Sequence, residues 1–341
     1  PRRFSYRAAW RPAADRVGAA RRALPPWVDA ALPLPADKTH DLPLETLRRF
    51  LLDPAQAFLV QRLGLRLPDA IEQTDDTEPL VASTWGRERA QLRREVFDWM
   101  LDAVPAQDPR TPAALHARLR ARGQLPTGPL GERAAEQLFA EVEPYTKAFT
   151  GWLGQAEAEV PDTVRREVSV DGVRVHGPVA GAHPQGLVRV HIGALNGPAA
   201  LRHGLDALLL NASGLPLPLV QIHDGDDGIR AHVIPARPVG DAQAALRTLL
   251  ALHREGLRGP LPFAPHTGWA IHAADPAQRA DAAREAWYPG DYRWGESTGE
   301  AIQLAFRGRD PLADADGMAA FIDNSLRIYG AVRGLRGEDA A

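Results

Sequence analysis

The run from Glu167 to Ile192, EVSVDGVRVHGPVAGAHPQGLVRVHI, limits the possible folds of this chain more than any other stretch. Val168, Val170, Val173 and Val175 alternate with polar residues on either side of Asp171-Gly172, the pattern of two strands joined by a tight turn. From Leu187 to Ile192 the alternation resumes. A strand there turns Val188, Val190 and Ile192 to one face and Leu187, Arg189 and His191 to the other. Three strands in succession commit the middle of the chain to a sheet.

The flanks read as helices. Leu44, Leu47, Phe50 and Leu51 form one helical stripe, and Asp53-Pro54 reads as a cap and first turn of a second helix that carries Phe58, Leu59 and Leu63 and stops at Gly64. Further helices are expected around Leu92 to Met100, over His116 to Arg122, and from Glu132 to Leu153 with Pro144 as a possible kink. Gly123 to Gly131 between them reads as a loop, and Asp75 to Glu78 as an acidic turn. After the strand trio, Pro198 to Leu210 reads as a helix. Leu217 to His223 and Ile229 to Ile234 read as a strand pair, followed by helices capped at Asp241 and started at Asp275-Pro276, an irregular aromatic stretch from Gly290 to Gly299, and a closing helix from Met318 to Tyr329. The order predicts an α/β fold, a mixed sheet flanked by helices. Residues 1–40, rich in Arg, Ala and Pro, read as an extended linker. Residues 41–335 read as one body, mainly helical over 41–155 and holding the sheet core and closing helices over 156–335.

Composition removes several function classes. With no cysteine among 341 residues, disulfide frameworks and thiolate metal sites are excluded. A net charge of −3 does not advertise nucleic-acid binding by the chain as a whole, so any basic surface must be local. The basic residues are arginines apart from Lys38 and Lys147, the mark of a GC-rich codon bias rather than of selection for phosphate forks. No apolar run is long enough to span a membrane, no secretory leader is visible, and no Gly-rich loop ending in Lys-Ser/Thr offers an ATP site, so a cytoplasmic protein without cofactor of its own is expected. The chain begins at Pro1 and reads as a piece of a longer polypeptide.

LETLRRFLLDPAQAFLVQRLGL, from Leu44, resembles the opening of the RecC C-terminal domain, from the gamma subunit of exodeoxyribonuclease V (RecBCD), through Leu47, Arg49, Phe50, Pro54, Ala57, Phe58, Arg62 and Leu63. Gly123-Gln-Leu-Pro-Thr-Gly128 with Gly131-Glu132, His176-Gly177-Pro178 with Gly186-Leu187-Val188-Arg189, Leu261-Pro262-Phe263, and Ala283-Arg284-Glu285-Ala286-Trp287 resemble later segments of that family in the same order, and the likeness covers nearly all of the chain from about Leu24. The resemblance implies a restriction-endonuclease-like fold, similar to the RecB nuclease domain, with an N-terminal helical extension and a degenerate active site. It also implies that helicase-like domains precede this chain.

A nuclease of that type needs an acid at the end of one strand and Asp/Glu-x-Lys on the next, so that carboxylates hold Mg²⁺ and the lysine assists the attacking water. On the resemblance, the RecB pattern Gly-x-Ile-Asp falls on Gly177-Pro178-Val179-Ala180 and Asp-Tyr-Lys on Arg189-Val190-His191. Ala180, Arg189 and His191 are therefore degenerate positions, and an arginine in place of a ligand repels a cation. No catalytic, cofactor-binding or metal residue is expected.

Other polar groupings carry plainer readings. His176, His183 and His191 match no zinc spacing, Asp224-Gly-Asp-Asp-Gly228 reads as a hairpin turn rather than a Ca²⁺ loop, and His266 and His272 near Trp269 have no nucleophile pattern beside them. The expected role is a non-catalytic scaffold and strand-guiding domain. Its partners are RecB and RecD, with ATP and Mg belonging to those subunits and DNA bound weakly and nonspecifically. Candidate contacts with DNA or a partner subunit are Arg48, Arg49 and Arg62 in the helical hairpin and Arg118, Arg120 and Arg122 on the short helix, which read otherwise as solvated faces. Two alternatives stay open: a divergent metal-dependent nuclease using Glu132, Glu136, Glu141 or Glu167, and a pure subunit-interaction module without DNA contact.

Overall fold

The structure is a computed structural model that describes residues 8–15, 24–28, 30–35, 40–65, 86–101, 110–154, 162–291 and 294–333. The acidic stretch Asp75 to Glu78 and Tyr292 lie outside the described residues. The helices are α1 (Arg11–Ala14), α2 (Leu44–Leu52), α3 (Pro54–Arg62), α4 (Gly86–Leu101), α5 (Pro112–Ala121), α6 (Gly128–Leu153), α7 (Gly197–Ala212), α8 (Val239–Gly256), α9 (Pro265–Ala273), α10 (Arg279–Trp287), α11 (Glu300–Ala305) and α12 (Ala315–Arg333). The strands are β1 (Asp41–Pro43), β2 (Asp162–Val170), β3 (Val173–His183), β4 (Gly186–Ala194), β5 (Leu219–Gly225) and β6 (Gly228–Ile234).

The strands form one mixed sheet, and its connectivity creates the feature on which the site depends. β2 runs antiparallel along one edge of β3. The other edge of β3 is shared: β1 pairs parallel with Arg174 to His176, and β4 pairs antiparallel with only Ala182 and His183. Residues 177–181 of β3 therefore have no strand partner on that edge among the described residues. From Val188 onward β4 leaves β3 and follows β5 in parallel, and β6 closes the sheet antiparallel to β5.

Each face of the sheet buries its own core. On one face Leu187 and Leu219 meet Leu201, Leu205 and Leu208 of α7 and Leu246, Leu249 and Leu250 of α8, with Phe50 of α2 fully buried beside them. Phe50 packs edge-on against His253, with ring centroids 4.8 Å apart, and a Cβ on Gly256 would lie 2.4 Å from the Phe50 ring. On the other face Val188, Val220 and Ile222 meet Val96 and Trp99 of α4, Leu115 and Leu119 of α5, and Leu138 and Val142 of α6. The expected alternation along β4 is present, Leu187 going to the first core and Val188, with half-buried Val190 and Ile192, to the second.

Several boundaries follow from capping. The Asp53 carboxylate accepts from Gln56 N at 2.8 Å, and Gly64 takes φ +67° where α3 ends. Asp224 to Gly228 is a hairpin turn with Gly225 opposite Gly228. Some expectations need correction. Asp241 sits inside the first turn of α8, which begins at Val239 after Pro238. Gly128 to Gly131 is not loop but the first turn of α6, where Pro129 suits a position with no intrahelical donor to lose. Pro265 to Ala273 is a helix that no periodicity announced.

The described part of the N-terminal region lies across this body. Trp27 Nε1 donates to Leu304 O at 2.8 Å, and the Arg307 guanidinium lies over the indole at 4.2 Å. Leu32 N donates to Arg258 O at 2.9 Å, and Arg62 donates to Pro33 O.

Candidate functional site

One side chain bridges the gap between β3 and β4. Arg189 Nη1 donates to Ala180 O and to Val188 O, each at 2.8 Å. Its Nη2 and Nε donate to Asp206 Oδ2 at 2.7 and 3.2 Å. The Asp206 side chain keeps 11% of its exposure and Arg189 17%, so the pair is largely desolvated. Arg48 of α2 reaches the second oxygen of the same carboxylate and also pairs with Glu45. One buried acid from α7 thus binds two guanidiniums, one from the sheet and one from α2. Left without both partners, such a carboxylate would carry an uncompensated desolvation penalty.

Asp206 was not legible as a site residue. It sits in LDALLL, which reads as a leucine stripe, and the only signal was a charged residue within a buried apolar run, a placement that demands a partner. Its neighbour His203 is buried as well, with Nδ1 2.9 Å from Gln221 Nε2. Burial, reinforced by the nearby Arg189 guanidinium, pushes the His203 imidazole down to about 3, so it is neutral near pH 7.

Ala180, Arg189 and His191, the positions expected to be degenerate, have different surroundings. Ala180 and Arg189 meet through the 2.8 Å bond to the Ala180 carbonyl. His191 lies one turn of the pleat further along β4, half-buried, with Nε2 3.4 Å from Asn196 Nδ2, and burial lowers its pKa. A cleft of about 530 Å³ opens beside Arg189, lined by Arg48, Arg94, Phe97, Phe149, Ala180 and Asp206. Positive and negative groups are mixed in it, and the oxygens best placed to hold a cation are already taken by guanidinium nitrogens.

No group of three or more His, Asp or Glu among the described residues converges in a way that could hold a metal ion. Glu132 and Glu136 are exposed on α6, Glu141 is clasped by Arg89 and Arg93 of α4, and Glu167 is exposed on β2 with Arg174 at 3.7 Å. The three histidines once grouped by sequence are in separate environments. His176 faces Asp41 at 3.3 Å, His183 is buried against Trp152 and Phe149, and His191 faces Asn196.

Residues 39–276 match the family model of the RecC C-terminal domain. The chain belongs to the RecC C-terminal domain family. It is similar to RecBCD enzyme subunit RecC of Escherichia coli (strain K12), 28% identical over 275 residues that span 79% of this chain and 22% of that protein. It is also similar to RecBCD enzyme subunit RecC of Mycobacterium tuberculosis (strain CDC 1551 / Oshkosh), 27% identical over 307 residues that span 88% of this chain and 26% of that protein. The chain thus spans about a quarter of the length of these curated relatives. Of the segments that carried the resemblance, the helical hairpin, the Gly123 to Glu132 motif, the strand pair and Leu261-Pro262-Phe263 fall inside the RecC match, and Ala283 to Trp287 lies beyond it.

Within this RecC domain the six candidate arginines do not form one group. Arg48, Arg49 and Arg62 belong to α2 and α3, and Arg118, Arg120 and Arg122 to α5 and its end, in the helical layer on the opposite face of the sheet. Arg48 is committed to Asp206, exposed Arg49 pairs with Glu45 at 3.0 Å, and Arg62 holds the Pro33 carbonyl. Arg122 pairs with Glu95, Arg118 is half-buried, and Arg120 is exposed. No described helix is long and apolar enough to cross a membrane.

Proposed function

We propose that this RecC-family domain is a non-catalytic scaffold and strand-guiding element of a RecBCD-type helicase–nuclease, acting in double-strand-break repair and recombination. In this reading its sheet is a restriction-endonuclease-like core, similar to the RecB nuclease domain, whose active site has degenerated at Ala180, Arg189 and His191. The observation that carries it is the Arg189 guanidinium, seated between β3 and β4 and bonded to Asp206, Ala180 O and Val188 O. A fixed positive charge among those oxygens competes with any divalent cation. The partners are RecB and RecD, the other subunits in the name of the enzyme to which the relatives belong, and the cytoplasm is the expected compartment. ATP and Mg²⁺ chemistry resides in those subunits.

The test is incubation of the purified domain with single- and double-stranded DNA in Mg²⁺ or Mn²⁺. No cleavage is expected. Metal-dependent cleavage that survives extensive purification and disappears on Glu132→Ala or Asp206→Asn overturns the proposal.

The pairing of Arg48, Arg49 and Arg122 with acids of this same chain favours a second reading, a subunit-interaction module whose arginines are not free for phosphates. An anisotropy titration with DNA at low salt separates the two. Undetectable binding, together with capture of RecB or RecD, selects the interaction module.

A further inference from the structure

Strand register arranges the α7-facing residues of β4, β5 and β6 in three rows. Leu187, Leu219 and Ile234 form the first and lie against the core. Arg189, Gln221 and His232 form the second. His223 and Arg230 form the third, with His191 beside them on β4, displaced by the bulge between Val190 and Ala194. The helices satisfy part of the second row: Asp206 takes Arg189, while Gln221 meets His203 and accepts from Arg333 Nη1 at 2.8 Å. Past it the side chains emerge. His191 and His223 are half-buried and Arg230 is exposed.

Basic side chains gather around this third row. Arg189 and His191 face it from β4, Arg202 and His203 from α7, His223 from β5, Arg230 and His232 from β6, and Arg333 from α12. Against them stand Asp206, bound to Arg189, Glu45 toward Arg202, and Asp227 in the β5–β6 turn, which pairs with Arg230; exposed Asp226 lies in the same turn, while Asp224 alternates to the opposite face, near Tyr145. Arg333 has no carboxylate partner among the described residues; it rests on Gln221 and lies 5.3 Å from the Trp269 ring. His223 and His232 stack with centroids 4.4 Å apart and planes 12° apart, over Gly225, where a Cβ would lie 3.3 Å from His232 Nε2. That nitrogen is buried without a hydrogen-bond partner. The N-terminus of α7, capped by Asn196 next to His191, adds partial positive charge to the same end.

We propose that the row of His191, His223 and Arg230, backed by His232 and Arg333, is a binding surface for the phosphodiester backbone of single-stranded nucleic acid. This rests on the strand-guiding reading and relocates its contacts away from the six arginines of the two helical layers. Guanidinium forks suit phosphate oxygens, and an imidazole can donate an N–H to the same oxygens. A stacked imidazole pair also offers a flat ring on which a base can lie.

The test uses the whole chain and a fluorescent oligothymidylate in an anisotropy titration at low salt, near pH 6 and near pH 8. Three proteins are compared: the parent, His223→Asn/Arg230→Gln, and Arg118→Gln/Arg120→Gln in the opposite layer. The row variant is expected to bind about ten-fold more weakly near pH 6, to show a salt slope shallower by about one, and to lose most of the gain in affinity at the lower pH. The opposite-layer variant is expected to match the parent. Both changes lie at half-buried or exposed positions, and unchanged urea midpoints confirm folding. If the row variant binds like the parent while the opposite-layer variant weakens, the proposal falls and strand guiding survives. If the parent does not bind near pH 6 at low salt, both fall. If polyglutamate competes as well as the oligonucleotide, the surface is assigned to an acidic protein instead, and the proposal is overturned.

Discussion

Replacing Asp206 by Asn keeps its shape and removes its charge, and the network around it sets the cost. The wild-type carboxylate serves Arg189 through bonds of 2.7 and 3.2 Å and Arg48 through its other oxygen. All three side chains are less than a quarter exposed, so solvent screens them little. Asp206→Asn leaves the Arg189 guanidinium buried without a counter-charge and Arg48 with Glu45 alone, and breaking a buried pair in this way costs about 3–5 kcal/mol. Arg189→Met keeps most of the side-chain bulk and leaves Asp206 with Arg48; hydrogen bonds to a charged group are worth about 1.5–3 kcal/mol, so a loss of about 2 kcal/mol is expected. The double variant removes both ends of one interaction and should cost less than the sum, with a coupling of about 1–3 kcal/mol. Urea unfolding at neutral pH measures all three, with unchanged m-values showing that only stability moved. Additivity within about 0.5 kcal/mol, or a larger cost for Arg189→Met than for Asp206→Asn, refutes the view that one carboxylate anchors both arginines.

Phe58, fully buried in α3, should cost about 3–5 kcal/mol as Phe58→Ala, read as a fall in the urea midpoint. Gly197→Ala places a Cβ 2.1 Å from the Pro265 carbonyl oxygen, which is backbone and cannot swing away; a loss of at least about 1–3 kcal/mol is expected, whereas Gly240→Ala in α8, with nothing within 4 Å, should be neutral or stabilising. His203 and His253 are held neutral by burial, with pKa values pushed down to about 3 and about 4. The unfolded chain therefore binds more protons below about pH 6.5, and stability present above that pH should fall as pH drops toward 4, by up to about 1.4 kcal/mol per pH unit for each histidine. His253→Gln should flatten this slope in urea midpoints collected between neutral and acidic pH. DNA affinity near physiological salt should be no tighter than about 10⁻⁴–10⁻⁶ M and should fall steeply as salt rises, which a salt series in the anisotropy assay checks.

Local patterns were readable where one face of an element is buried and the other is wet. Val168 to Val175 and Leu187 to Ile192 alternate because each strand separates two environments, and the Asp53 cap and Gly64 stop are decided by neighbouring residues. α9 escaped because its buried side is made of Pro265, Thr267, Gly268, Ile271 and His272 while half-buried Trp269 and exposed Ala273 lie elsewhere, so apolar residues do not mark one face and no period appears. The sheet gap escaped for a different reason. It exists because three-residue β1 takes one end of the β3 edge and β4 the other, a pairing between segments separated by more than a hundred residues. Arg189 was identified as out of place from its own strand, but its partner Asp206 lies on the helix that follows and Arg48 on α2, so the role of the guanidinium depends on tertiary structure.

The segment from Leu24 to Pro33 has a mechanical consequence. It is fastened at α11 by Trp27 and by the Arg309 bond to Leu24 O at 3.2 Å, at the end of α8 by Leu32, and at α3 by the Pro33 carbonyl. A pull transmitted along the chain from before Leu24 would meet the Arg309 bond at Leu24 O first and then the Trp27 indole, clamped between the Leu304 carbonyl and the Arg307 guanidinium. Only after that clamp gave way would tension reach the Leu32 bridge and then β1, whose three residues pair with β3. Rupture in series, one anchor at a time, spreads the work over a longer extension than simultaneous shearing would. The sheet and the Arg189 network behind it would be shielded from load until the last fastening failed.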